Sequence, residues 1–195
     1  STLFSLAQSS THILHHEDLI FNAKVWTQND GFPQRHFEGG FQDSRGIIWL
    51  AFQQALYRFD GQHFTAVWEN NDILYDFHNS KLSEDSRQNI WFYRRNHFQA
   101  NKPVQLFIYS PQEAKRYTIE EYVGEEAAKA LLGTKYLYFM QVDQYLYICD
   151  PASGRLWKYS DHLELVYKTS GASSTHQTAL LAPAPEGYVW SIHGK

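Results

Sequence analysis

The sequence lacks the features that several functional classes require. It has 195 residues and one cysteine, Cys149, so it can form neither an intrachain disulfide nor a multi-cysteine metal site. Its net charge of −4 argues against the basic surface that nucleic-acid-binding proteins usually carry. It has no apolar run of about 18 residues, which a membrane span would need, and no GxSxG, HExxH, P-loop or Rossmann motif. We therefore expect no cofactor, no metal, no catalytic residue and no nucleic-acid partner, and Cys149 is interpreted as a small core residue.

Aromatic residues, in contrast, are abundant. They make up 16% of the chain, with 13 Tyr, 13 Phe and 6 Trp, while charged residues make up 19%. Aromatic side chains favour strands because they pack well on a pleated, half-buried surface. The composition therefore predicts a globular protein that is rich in β-structure.

A short motif recurs along the chain. The stretch "DSRGIIW" ends at Trp49 and returns as "DSRQNIW", which ends at Trp91; looser copies are "LGTKYLY", ending at Tyr138, and "APEGYVW", ending at Trp190. The four aromatic anchors lie 42, 47 and 52 residues apart. A fixed order of similar units at this spacing is typical of repeat architectures.

A second signature follows the first three anchors and has the pattern of a β-hairpin. It reads "LYRFDG" from Leu56, "LFIYSP" from Leu106 and "LYICDP" from Leu146. Each unit thus predicts about four short antiparallel strands, as in a propeller blade. Aspartates in such repeated turns bond to the backbone two residues on, so we interpret them as structural. The predicted structural repeat positions are Asp43, Gly46, Trp49, Asp60, Gly61, Asp85, Trp91, Tyr138, Asp150, Gly187 and Trp190.

These units predict an all-β propeller with about three full four-stranded blades and part of a fourth. The blades are expected at 35–68, 72–119, 133–168 and 176–195, with one short helix near 120–132 that Gly133 ends. Residues 1–17 form an N-terminal segment before the propeller of residues 18–195. The stretch "LFSLAQSS" is either the remnant of a secretory signal or an ordinary apolar segment.

The stretch "NDGFPQRHFEGGFQDSRGIIWLAFQQALYRFDGQHF" resembles the two-component-regulator propeller repeat. That repeat fills the periplasmic sensor regions of hybrid two-component systems, best known from gut Bacteroidetes. The match includes the turn at 30–33, the "DSRG" turn and the "RFDG" hairpin, and it departs from the family at Ala51, Phe52 and Ala55. It is strong over residues 29–64 and holds in outline over residues 20–195.

The resemblance implies a non-catalytic periplasmic sensor for glycan-derived ligands. Its signal would reach a histidine kinase through membrane segments absent from this chain. A strand within residues 18–27 would close a blade, which would cover an exposed sheet edge, and open propeller edges could pair two copies of the chain. Two alternatives stay open, a propeller hydrolase or lyase acting on polysaccharide and a protein-interaction propeller.

The best candidate for a ligand site is the insertion "RRNHFQANKP" in the second unit. Its Arg94, Arg95, His97 and Lys102 could together meet an anionic ligand. Loops that extend from a rigid scaffold often carry binding residues. A solvated loop without a ligand is the alternative interpretation.

Overall fold

The fold consists of antiparallel sheets that follow one another along the chain. The computed structural model describes residues 11–16, 19–69, 75–77, 82–96, 98, 102–134, 137–168, 179–183 and 189–193. Strands dominate these residues, and the helical segments are short. The prediction of an all-β architecture is confirmed.

The first described strands form a hairpin of their own. Strand β1 (Thr11–His16) pairs antiparallel with β2 (Leu19–Lys24). Among the described strands, β2 has β1 as its partner, and its predicted role in closing a blade stays a prediction. A 3₁₀ turn over Gln28–Asp30 leads into the first sheet, and Gly31 ends it with φ of 85°.

The first sheet has four strands in sequence order. Its strands are β3 (Phe37–Gln42), β4 (Ile48–Phe52), β5 (Ala55–Phe59) and β6 (Phe64–Glu69). On β4, Trp49 lies opposite Phe41 of β3 and Arg58 of β5. The repeated tryptophan thus sits near the beginning of the second strand.

The second sheet has the same plan, except that its first strand is split into two pieces. Its strands are β7 (Tyr75–Asp76), β8 (Ser83–Glu84), β9 (Ile90–Asn96), β10 (Gln105–Ser110) and β11 (Lys115–Thr118). Both β7 and β8 pair with β9. Trp91 lies opposite Ser83 on one side and Ile108 on the other, so it occupies the register position of Trp49.

The segment predicted as one helix near 120–132 forms two. Helix α1 (Ile119–Val123) and helix α2 (Glu125–Leu131) are separated by Gly124. Gly124 has φ of 87°, a left-handed conformation that interrupts the helix and that glycine adopts at little cost. Gly133, which also has positive φ, follows the end of α2.

The third sheet is four-stranded, and the fourth consists of two described strands. The third contains β12 (Tyr138–Val142), β13 (Tyr145–Asp150), β14 (Arg155–Tyr159) and β15 (Leu163–Lys168); the fourth contains β16 (Ala179–Pro183) and β17 (Val189–His193). Trp190 on β17 lies opposite Ala182, which matches the register of Trp49 opposite Phe41. Gly187 lies outside the described residues.

The predicted alignment of the third unit is wrong. Tyr138 lies on β12, the first strand of its sheet, whereas Trp49 and Trp91 lie on second strands. Tyr147 on β13 holds the equivalent register position, with Met140 and Lys158 opposite it. The motif "LYICD" forms the second strand of its sheet rather than the third.

The sheets pack against one another through aromatic side chains. Between the first two sheets, the ring of Trp49 contacts Tyr109 with centroids 5.7 Å apart, and Trp68 contacts Phe107 at 4.7 Å. Between the second and third sheets, Trp91 contacts Tyr159 at 4.9 Å. The two helices contribute Ile119, Ala128 and Leu131 to the core between these latter sheets.

Candidate functional site

The repeated turn of the first sheet is organised around the carboxylate of Asp43. Its Oδ1 accepts hydrogen bonds from the amides of Arg45 and Ile47, at 3.0 and 2.9 Å. Its Oδ2 accepts one from the indole of Trp49 at 3.0 Å and one from the guanidinium of Arg45 at 2.7 Å. We call this arrangement of a turn carboxylate and an indole N–H the clasp.

The electrostatics of the clasp favour an ionised carboxylate. Burial alone would raise the pKa of Asp43, but the hydrogen bonds from Trp49, Arg45 and the Ile47 amide outweigh burial. The pKa of Asp43 therefore lies below its ordinary value. Asp43 is structural, since all of these interactions hold the turn and the core tryptophan together.

The second sheet repeats the clasp with Asp85. The amides of Arg87 and Asn89 each donate to its Oδ1 at 2.9 Å. The indole of Trp91 donates to its Oδ2 at 2.8 Å. The backbone of this turn thus reproduces that of the first sheet.

The other two repeated aspartates also hold turns. Asp60 Oδ1 accepts hydrogen bonds from the amides of Gln62 and His63, at 2.8 and 2.7 Å. Gly61 follows with φ of 96°. Asp150 Oδ1 accepts from the amide of Ala152 at 3.0 Å. Asp150 is the last residue of the second strand of its sheet, whereas Asp60 follows the third strand, so it is not the counterpart of Asp60 that the sequence predicted.

The two clasps differ in the partner of the arginine that lies two residues after the aspartate. In the first sheet, the Arg45 guanidinium forms an ion pair with Asp43. In the second, the hydroxyl of Tyr122 donates to Asp85 Oδ2 at 2.9 Å, and Asn89 Nδ2 donates to that hydroxyl at 2.6 Å. Among the described ion pairs, none joins Arg87 to a carboxylate. Arg87 instead lines a cleft.

Helix α1 places Tyr122 over the second clasp. The helix begins with a capping box, in which Thr118 accepts from the Glu121 amide and the Glu121 side chain accepts from the Thr118 amide. Burial, followed by the neighbouring Tyr159 and the charge of Asp85, raises the pKa of Tyr122 far above that of a free phenol. Tyr122 therefore keeps its proton and acts as a hydrogen-bond donor.

The cleft lies beside the turns of the second sheet. It has a volume of about 280 Å³. The residues that line it are of polar type and come from the turn before β9, the end of β10 and the turn after it, and helix α1: Arg87, Asn89, Ser110, Gln112, Glu113 and Tyr122. Asn89 and Ser110 are buried, while Arg87, Gln112 and Glu113 are exposed. We call this feature the turn cleft.

A chain of side-chain hydrogen bonds connects the turn cleft to the first sheet. Gln112 Nε2 donates to Gln88 Oε1 at 3.3 Å, and Gln88 Nε2 donates to Ser44 Oγ at 3.4 Å. The amide and hydroxyl of Ser44 donate to the buried carboxylate of Glu84, at 2.8 and 3.0 Å. The turns of the two sheets are therefore held as one polar surface.

The predicted insertion site is not a single exposed loop. Arg94 lies on β9 and is 2% exposed, with its guanidinium carbon 5.2 Å from the ring centroid of Trp68. Arg95 also belongs to β9 and lies opposite Asp76 of β7 in the strand register. The loop interpretation was wrong for both arginines, because β9 continues further than the turn signals indicated. Lys102 is exposed, and His97 lies outside the described residues.

Cys149 is a core residue. It is buried on β13 and forms no disulfide. Burial, with a smaller contribution from the charge of Asp150, raises the pKa of its thiol to about 11. The thiol is therefore protonated near neutral pH and is a poor nucleophile.

Sequence reasoning missed the turn cleft. The sequence offered one signal, because Gln88 stands in the second turn where the first turn has Gly46. In the structure, Gln88 has φ of 62°. A non-glycine residue in this conformation is uncommon. The contribution of Tyr122 could not be found, because it comes from a helix outside the repeat.

The described residues contain neither a cluster of metal-ligating side chains nor a membrane-spanning helix. In the part of the chain that the structure describes, no group of three or more His, Cys, Asp or Glu side chains could hold a metal ion. Nor is any described helix long and apolar enough to cross a membrane.

Comparisons with known proteins identify the architecture. No protein-family model matches the chain, and no curated protein matches its sequence. One similar structure is the extracellular domain of a candidate one-component system from B. thetaiotaomicron, at 16% identity and a TM-score of 0.55, covering 88% of this chain and 22% of that one.

Two enzymes have similar structures. A luciferin-regenerating enzyme matches at 10% identity and a TM-score of 0.54, covering 82% of this chain and 56% of that one. A candidate gluconolactonase matches at 10% identity and a TM-score of 0.53, covering 89% of this chain and 61% of that one. The chain thus spans less than two thirds of each. At these identities the similarities show the fold alone, and the sheets described above are blades of a β-propeller.

Proposed function

We propose that this chain is the ligand-sensing propeller of an extracytoplasmic receptor, and that it binds its ligand without transforming it. The main support is the use of the repeated carboxylates. Asp43, Asp60, Asp85 and Asp150 all accept hydrogen bonds from their own turns. The acidic groups that the repeat supplies thus hold the blades, and a polysaccharide hydrolase would need a separate pair of carboxyl groups.

The resemblance to sensor propellers and the similar extracellular domain agree with this proposal. Glycan-derived ligands, a periplasmic location and a signal passed to a histidine kinase are parts of it that come from the resemblance. They predict that the chain belongs to a longer protein anchored in the inner membrane. Pairing of two copies is proposed as well, since the outer strand β15 exposes Leu165, Val166 and Tyr167.

A propeller hydrolase is the second candidate, because two of the similar structures are enzymes or candidate enzymes. Binding and turnover can be measured in one experiment. The chain is incubated with a panel of neutral and acidic oligosaccharides and small lactones, with binding followed by calorimetry and products by mass spectrometry. Binding without product supports the sensor, and steady release of product would assign the chain to the enzymes.

A further inference from the structure

We propose that the turn cleft binds a small hydroxylated carboxylate, such as a hexuronic acid, with Arg87 as the partner of the carboxylate. This inference rests on the proposed sensing function, for which it supplies a site and a class of ligand. The cleft lies at the end of the second sheet where β9 begins, whereas the insertion follows the other end of β9.

Two equivalent arginines lie in different environments. Arg45 and Arg87 occupy the same position in the two "DSR" turns, and their amides make the same bond to the preceding aspartate. Arg45 also places its guanidinium on Asp43. Around Asp85, the Tyr122 hydroxyl takes the corresponding carboxylate oxygen, and Arg87 is one of the residues that line the cleft. A guanidinium presents a planar set of donors that matches a carboxylate.

Other polar residues line the cleft together with Arg87. The residue Ser110 is 4% exposed and still lines the cleft, and Gln112 lines it as well. Glu113 adds a carboxylate that accepts a hydrogen bond from the Tyr117 hydroxyl. Hydroxyl groups of a ligand can donate to this carboxylate, whereas a second ligand carboxylate there would be repelled. The cleft therefore favours a ligand with one carboxylate and several hydroxyls.

The volume of the cleft limits the size of the ligand. Small-molecule sites in proteins usually have volumes of about 300–1,000 Å³, and this cleft is at the lower limit with about 280 Å³. One sugar ring suits this volume better than an extended chain does. Tyr122 forms part of the wall and supplies an aromatic surface.

Gln88, which follows Arg87, has an uncommon backbone conformation. It adopts φ of 62°, where the first sheet has Gly46 at 84°. Left-handed conformations are costly for residues with a side chain, and strained residues of this kind cluster at functional sites. The side chain that causes this cost accepts a hydrogen bond from Gln112 at 3.3 Å, and so positions a cleft residue.

The test measures affinity for three probes, namely glucuronate, glucose and acetate, by calorimetry at low salt on the 195-residue chain. We expect glucuronate to bind better than either of the others. Arg87→Ala should weaken glucuronate binding by about tenfold or more, as for loss of a hydrogen bond to a charged group. Arg45→Ala is the matched control and should keep the affinity, and Arg87→Lys should recover part of it. Thermal melts of the three variants establish that each is folded.

Three results would overturn the inference. They are unchanged glucuronate binding in Arg87→Ala, equal affinity for glucose and glucuronate, and no binding of glucuronate. The oligosaccharide panel separates this failure from that of the proposed function. If the panel yields a ligand whose affinity does not depend on Arg87, the sensor remains and the turn cleft is excluded. If the panel yields turnover, both proposals fail.

Discussion

The first two blades hold their core tryptophan differently from the way the third blade holds its core. Trp49 and Trp91 are fully buried on second strands, and each donates to a turn aspartate. In the third blade, Val142 and Tyr147 occupy the register positions of Asp43 and Trp49. The turn there is short, with Asp143 at φ of 53°, and the buried tryptophan is Trp157 on the third strand.

This difference distinguishes the interactions that form a blade from those that only add to its stability. Strand pairing is common to both kinds of blade, down to a bulge at the same place. It lies between Leu56 and Tyr57 in the first sheet and between Leu156 and Trp157 in the third. The blade is therefore specified by strand register and an apolar face, and the clasp is an additional means of fixing the turn and one aromatic side chain.

The largest expected effect comes from removing a clasped tryptophan. Trp49→Ala should lower the free energy of unfolding by about 3–5 kcal/mol, as for other large-to-small core changes. Tyr147→Ala is the matched change in the third blade, where the side chain is half-buried, and it should cost about 1 kcal/mol. Urea unfolding of both variants measures the two values. Equal losses would contradict the greater burial of Trp49 and its additional bond to Asp43.

The next effect concerns the charge within the clasp. Because the folded pKa of Asp43 is lowered, its contribution to stability is complete above the unfolded value of about 3.9. It is lost as the pH falls through the still lower folded pKa. Asp43→Asn places an amide donor against the donors of Trp49 and Arg45, so it should cost about 1–3 kcal/mol at pH 7.

Asp43→Asn should also reduce the loss of stability that occurs as the pH falls below about 4. Val142→Ala serves as the control, because it changes the equivalent position of the third blade without removing a titrating group. We expect it to lower the urea midpoint while leaving its pH dependence as in the unchanged protein. A pH dependence that survives in Asp43→Asn would place the acid sensitivity in another carboxylate.

The smallest expected effects concern two residues that the sequence assigned to the same loop. Arg94→Ala removes a buried side chain beside Trp68 and Phe77, and it should cost about 1–3 kcal/mol. Lys102→Ala changes an exposed side chain and should stay within about 0.5 kcal/mol of the unchanged protein. Thermal melts measure both, and similar melts for the two variants would contradict the burial of Arg94.

The sequence was informative where local chemistry repeats. The turns at Asp43 and Asp85 and the register of Trp49 and Trp91 could be predicted, because Asp, Gly and Trp have distinct roles that recur at fixed spacing. The third unit was misaligned because Leu146 begins a similar apolar motif one strand earlier. Spacing alone does not distinguish a second strand from a third when the preceding turn is shortened.

Features that depend on several elements were beyond the reach of sequence reasoning. Arg94 was taken for a loop residue because it begins the insertion between the two repeated signatures, and its burial depends on Trp68 from another sheet. The turn cleft was missed for the same kind of reason. Tyr122 reaches Asp85 from a helix, over 37 residues of sequence.

Helices α1 and α2 limit how far one blade of this propeller could be exchanged for another. The first two blades meet directly through aromatic side chains, whereas the second and third share a core with Ile119, Ala128 and Leu131 of the helices. A blade copied from one place in the ring to another would retain its strand pairing and lose the neighbour that its surface fits. Lengthening or shuffling this propeller would thus require moving each blade together with the segment that covers it.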